Sequence, residues 1–144
     1  MLTISEIARL ISDDETSLKK ELAKTGQRYY DGDHDIRDYR IFYFDANGDL
    51  QEDTARANVK IPHPFLTELV DQCTQLILSG DERIVRADDP ALQTEMDDYF
   101  NYNEDFTAEL SELLTGCQAK GFEYMYAYKT KDDKTAFMCA DSIG

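Results

Sequence analysis

Two short runs of acids are spaced as cation-binding loops are. Asp31, Asp33 and Asp35 alternate in the first, and Asp45, Asn47 and Asp49 in the second. A calcium loop of the helix-loop-helix type needs glycine at its sixth position and a bidentate glutamate at its twelfth. Counted from Asp31 those positions hold Ile36 and Phe42, and counted from Asp45 they hold Leu50 and Arg56. Neither run is therefore read as a metal site. The second reads better as a hairpin turn, because Asn47-Gly48 supplies the positive φ that a tight turn needs. His34 and His63 are the only histidines and lie in separate segments, so only the fold could make them a ligand pair. Cys73, Cys117 and Cys139 are odd in number, far apart and set in apolar patterns, which predicts buried, reduced thiols.

Catalytic constellations are missing. Acid pairs occur at Asp13-Asp14, Asp88-Asp89 and Asp97-Asp98, but among 30 acids no couple stands out for general acid–base work. There is no Gly-rich phosphate loop, no Cys-x-x-Cys, no His-Glu-x-x-His and no Gly-x-Ser-x-Gly. The expectation is a non-enzyme with no cofactor and no metal; a hydrolase using the acidic clusters would need two close carboxylates of raised pKa in a pocket. Phe122, Tyr124, Tyr126 and Tyr128 share one strand face by period two, a possible stacking platform for single-stranded nucleic acid. The basic groove such a platform needs is lacking, since Lys129, Lys131 and Lys134 sit at the following turn. The row reads instead as a sheet face packed on helices.

The elements that would position these residues are organised around 58–80. Val59-Lys60-Ile61 is strand-like, Pro62 and Pro64 turn the chain, and Phe65, Leu66, Leu69, Val70, Cys73, Leu76 and Ile77 recur at helical spacing up to Gly80. Upstream, Thr3-x-x-Glu6 and Ser12-x-x-Glu15 are successive capping boxes. They predict a short helix carrying Ile4, Ile7, Ala8 and Ile11, then a longer one from about Asp13 to Thr25, stopped by Gly26, with Leu18 and Leu22 inward. Downstream, Arg83–Ala87 alternates as a short strand, and Asp89-Pro90 opens a helix with Leu92, Met96 and Phe100 inward. Asn103 caps a helix that ends near Lys120 before Gly121. A final strand pair is turned by 131–134. The fold class is α+β: several amphipathic helices packed on short antiparallel strands and hairpins.

With 144 residues, 42% of them hydrophobic, the chain can build one core, and residues 1–144 are expected to be a single domain. No apolar run approaches a membrane span. The net charge of −15 opposes a sequence-independent grip on nucleic acid, which works by neutralising phosphates. It suits a surface past which DNA slides, or a free-standing acidic interaction domain or DNA mimic. The end at 141–144, directly after an apolar strand, is what a truncated N-terminal part of a longer protein would show.

The order of features resembles the N-terminal part of tailed-bacteriophage portal proteins of the siphophage type. The resemblance rests on Tyr29-Tyr30-x-Gly32-x-His34-x-Ile36, on Asn58-Val59-x-Ile61-x-x-Pro64-Phe65-x-x-x-Leu69-Val70-Asp71, on Gly80, and on Ala119-x-Gly121-x-x-Tyr124. It covers roughly residues 20–128. The resemblance implies a wing-like α+β portion of a head-to-tail connector subunit, without a catalytic site. It implies that the full-length protein forms a homo-oligomeric ring, usually of twelve, at one capsid vertex of the virion, assembled in the host bacterial cytoplasm. The implied partners are the terminase large subunit, capsid or scaffold and head-completion proteins, and double-stranded DNA passing through without sequence-specific binding. Tyr29, Tyr30 and His34, with Asp97 and Asp98 in the 88–105 acidic arm, are expected at subunit contacts because their segments are the least self-contained.

Overall fold

A computed structural model describes residues 2–80 and 84–143 of the protein. Among the described residues the order is α1 (Ile4–Glu15), α2 (Leu18–Tyr30), β1 (Phe42–Phe44), β2 (Leu50–Glu52), α3 (Phe65–Leu78), α4 (Pro90–Met96), α5 (Glu104–Lys120), β3 (Tyr124–Lys129) and β4 (Thr135–Ala140). A 3₁₀ turn, Asp35–Asp38, follows α2, and a π turn, Asp97–Asn101, extends α4. The α+β expectation holds.

Thr3 caps α1 through a complete capping box with Glu6, as its spacing predicted. The second box is not used. α1 runs on through Ser12 to Glu15, and Thr16 closes it with both its N–H and hydroxyl on the Ser12 carbonyl. Ser17 then caps α2 by accepting from the Lys20 N–H. Nor does Gly26 stop α2. It lies where α2 crosses α5, and a Cβ there would sit 2.1 Å from the Ala119 carbonyl oxygen. The glycine permits a close helix–helix approach and is no terminator.

The core is made by α2, α3 and α5, with β3–β4 laid on α5. Its buried apolar residues are Ala23, Val70, Phe106 and Ala119. Phe106 meets Phe137 at 4.8 Å and Phe100 at 5.0 Å, joining α5, β4 and the π turn in one aromatic cluster. The predicted Asn103 cap and Gly121 stop of α5 are both present, Gly121 with φ 85°. Between the helices the seams are polar. Tyr30 donates to Asp71 Oδ1 at 2.9 Å, Thr67 donates to the Tyr30 carbonyl, and Gln118 donates to Thr74 Oγ1 at 3.0 Å.

Three further sequence expectations fail in informative ways. Val59–Ile61 joins no ladder, and both apolar side chains are exposed. Ile84–Ala87 is no strand, while Arg83 lies outside the described residues. Side-chain amides supply the partners a ladder would have given: Asn101 clasps both the N–H and the carbonyl of Val85, and Gln93 Oε1 accepts from the Ala87 N–H at 2.7 Å. The tyrosine row points away from the helices, and the opposite face of β3–β4, carrying Met125, Phe137 and Cys139, packs on them.

Candidate subunit-contact surfaces

The segment after α2 is organised by charge. Asp35 accepts from the Tyr29 hydroxyl and pairs with Arg28 at 2.6 Å. The Tyr29 hydrogen bond, then that of Arg28, holds the Asp35 carboxyl below its ordinary range, while the same bond raises the Tyr29 phenol. Asp33 pairs with Arg37, and Asp31 accepts from the Gln27 amide. The alternating acids thus turn to separate partners, and no group of metal-ligating side chains forms among the described residues. Asp45 caps its own hairpin turn, accepting from the N–H groups of Asn47 and Asp49 around Gly48 at φ 86°. His34 meets Tyr29 edge-on at 5.2 Å, and its Nε2 is buried with no hydrogen-bond partner. Tyr30 points inward to α3, where burial first and then Asp71 raise its phenol.

Asp97 and Asp98 part company. Asp97 is buried and accepts from Gln93 Nε2 at 2.8 Å and Asn101 Nδ2 at 2.7 Å, completing the cluster that holds 85–87. Asp98 faces solvent. Of the five expected contact residues, then, Tyr29, Tyr30 and His34 are gathered at one end of α2. The acid pair lies on a separate element, with only Asp98 outward.

A groove of about 570 Å³ between α2, α5 and β4 holds the other charged cluster. At its base Lys120 and Glu123 are both buried and paired, and Lys120 reaches Asp141 at 2.8 Å. Burial opposes the Lys120 charge, but Asp141 and Glu123 outweigh it and its pKa is raised. Cys139 stands beside them with its thiol pushed up, first by burial and then by Glu123, Glu112 and Glu109. A raised thiol pKa opposes nucleophilic use, and Lys120 ties together the two carboxylates of Glu123 and Asp141.

What sequence reasoning missed is how much apolar surface stays outside. α1 buries no residue, and Ile4 is 88% exposed. Leu18 and Leu22, expected inward on α2, are exposed. On α3, Phe65 (69%) and Leu76 (77%) form with Leu69 an outward ridge, while Val70 and Thr74 face the core. Phe42, Phe44 and Leu50 of the β1–β2 hairpin are also exposed. The total accessible surface is 11077 Å². A folded monomer of 16.5 kDa is expected to show about 7,500 Å². The one available signal was the count of apolar helix stripes, which exceeds what one small core can absorb.

So much exposed apolar surface is more than singly scattered surface residues account for. The chain belongs to the phage portal proteins, SPP1 Gp6-like, whose family profile matches residues 10–143. It is 28% identical over 135 residues to the portal protein of Bacillus phage SPP1, covering 87% of this chain and 26% of that protein. The chain therefore spans about a quarter of the length of that relative. No helix among the described residues is long and apolar enough to cross a membrane.

Proposed function

We propose that this chain is the wing portion of a portal subunit, a single domain at the N-terminal side of a longer protein. It packs side by side with its copies in a ring at the capsid vertex, through which double-stranded DNA is packaged and ejected. The observation that carries the reading is the accessible surface, about 3,500 Å² beyond a monomer's expectation. A standard interface takes about 800 Å² from each partner, so two ring neighbours and further portal segments can be accommodated. The charge of −15 suits a conduit wall that DNA does not grip, and no catalytic role is assigned. Terminase, scaffold or capsid, and head-completion proteins are its partners in this reading, in the host cytoplasm during assembly and then in the virion. In this reading Tyr29, His34 and Asp98 remain candidate contacts with a neighbour, supported by the exposure of Asp98 and the partial exposure of Tyr29 and His34.

Sedimentation velocity and negative-stain electron microscopy of the full-length parent protein test this. Rings with a central hole are expected. A compact monomer at every concentration, binding a basic protein partner, would replace the reading with that of a free-standing acidic interaction domain.

A further inference from the structure

The β1–β2 hairpin stands apart from the body. Its main contacts are between its own two strands, and all six strand residues are exposed. An isolated two-stranded hairpin is marginal in water and needs a third strand or a packing surface. Alternation of the ladder fixes which backbone groups are unsatisfied. Asp45 bonds to Asp49 and Asp53 bonds to Ile41, so Tyr43–Gln51 is a hydrogen-bonded pair. Phe42 and Phe44 on β1, and Leu50 and Glu52 on β2, therefore turn their N–H and C=O groups outward. Their side chains share one face of the hairpin.

A matching edge exists on β3. Thr130 bonds to Lys134, which makes Tyr124, Tyr126 and Tyr128 the bonded partners of β4 and turns the backbone of Met125, Ala127 and Lys129 outward. α5 packs on β4, and on the outer edge of that strand Glu109 accepts from the Cys139 N–H. No backbone group among the described residues bonds the outward side of β3. On the β3 side the sheet has room for one more strand.

We propose that β2 of one copy adds antiparallel to the open edge of β3 in a second copy, so that neighbouring subunits share a four-stranded sheet. The inference rests on the ring reading above and names its contact. Pairing of outward groups sets Phe42, Phe44 and Leu50 on the same face as Met125 and Ala127, beside a hollow of about 230 Å³ lined by Ala127, Tyr128, Lys129 and Thr135. Charge favours this occupant. In a chain of net −15, Asp49 directly precedes β2, and antiparallel pairing carries it toward the β3–β4 tip, where Lys129, Lys131 and Lys134 outnumber Asp132 and Asp133. Donor and acceptor are different surfaces of one chain, as a head-to-tail contact that closes into a ring requires.

Ala127→Pro removes an outward N–H and leaves the β3–β4 ladder bonds intact. Leu50→Asp sets a charge in the donor face. Each variant should keep the wild-type circular dichroism and melting profile and associate about 10- to 100-fold more weakly, the value of two or three backbone bonds. Mixed in equal amounts they should associate more tightly than either variant alone, since each retains one competent surface and the two surfaces are complementary. In the wild-type assembly the Met125, Ala127 and Lys129 amides should exchange slowly, which keeps the test open should Ala127→Pro unfold. Variants that assemble like wild type, or amides that exchange freely in the assembly, overturn the shared sheet and leave the ring intact. Full-length wild-type protein that stays monomeric overturns both.

Discussion

Gly26 offers the sharpest test of the packing account, because two physical effects predict opposite signs. In an exposed helix interior, Gly→Ala stabilises by about 1 kcal/mol through backbone entropy. Here the added Cβ would lie 2.1 Å from the Ala119 oxygen and 3.2 Å from its carbonyl carbon. Ordinary carbon–oxygen contacts begin near about 3.3 Å, so α2 and α5 would have to part by roughly 1 Å. The obstacle is backbone held in a helix, which a rotamer change cannot move. Overpacking of this kind costs about 1–3 kcal/mol, and a backbone obstacle belongs in the upper half. The net effect of Gly26→Ala is a loss of about 1–2 kcal/mol. For a chain of this size that lowers the melting midpoint by about 3–7 °C. Thermal unfolding followed by far-ultraviolet circular dichroism measures it. A midpoint unchanged or raised would show that α2 does not lie against α5 as described.

The remaining predictions concern charge. Asp97→Ala strands the Gln93 and Asn101 amides and should cost about 1–3 kcal/mol by urea unfolding, while Asp98→Ala changes stability by less than about 0.5 kcal/mol. Lys120→Met leaves Glu123 buried and unpaired and should cost about 3–5 kcal/mol; the double variant Lys120→Met with Glu123→Leu should recover most of it. Asp141 is held below its ordinary range by Lys120 and then by the Ile143 N–H. A carboxylate depressed on folding stabilises fully above its unfolded pKa, and that contribution is lost as pH falls through the folded value. Asp141→Asn should therefore flatten the acid limb of stability from about pH 4 downward, with little change in slope at neutral pH.

Local signals read well from sequence where the chemistry is local. The Thr3 and Asn103 caps, the Asn47-Gly48 turn, the α3 span and the Gly121 stop each follow from a few neighbouring residues. What sequence could not supply was direction. A helical stripe says that one face is apolar, and α3 turns Phe65, Leu69 and Leu76 outward because Thr67, Asp71 and Thr74 bond to α2 and α5. The strand expected at 84–87 failed because alternation cannot foresee that Gln93 and Asn101 will satisfy its backbone. Gly26 was legible as a special residue, but its reason lies 93 positions away in Ala119. Asp97 and Asp98 are indistinguishable as letters, and only the turn that carries them decides which one faces water.

Side-chain oxidative footprinting of the assembled and dispersed protein tests the central claim most directly. If the surplus surface is subunit contact, Phe44, Phe65 and Leu76 are labelled in the dispersed chain and protected severalfold in the ring. Equal labelling of these residues in both states would contradict it.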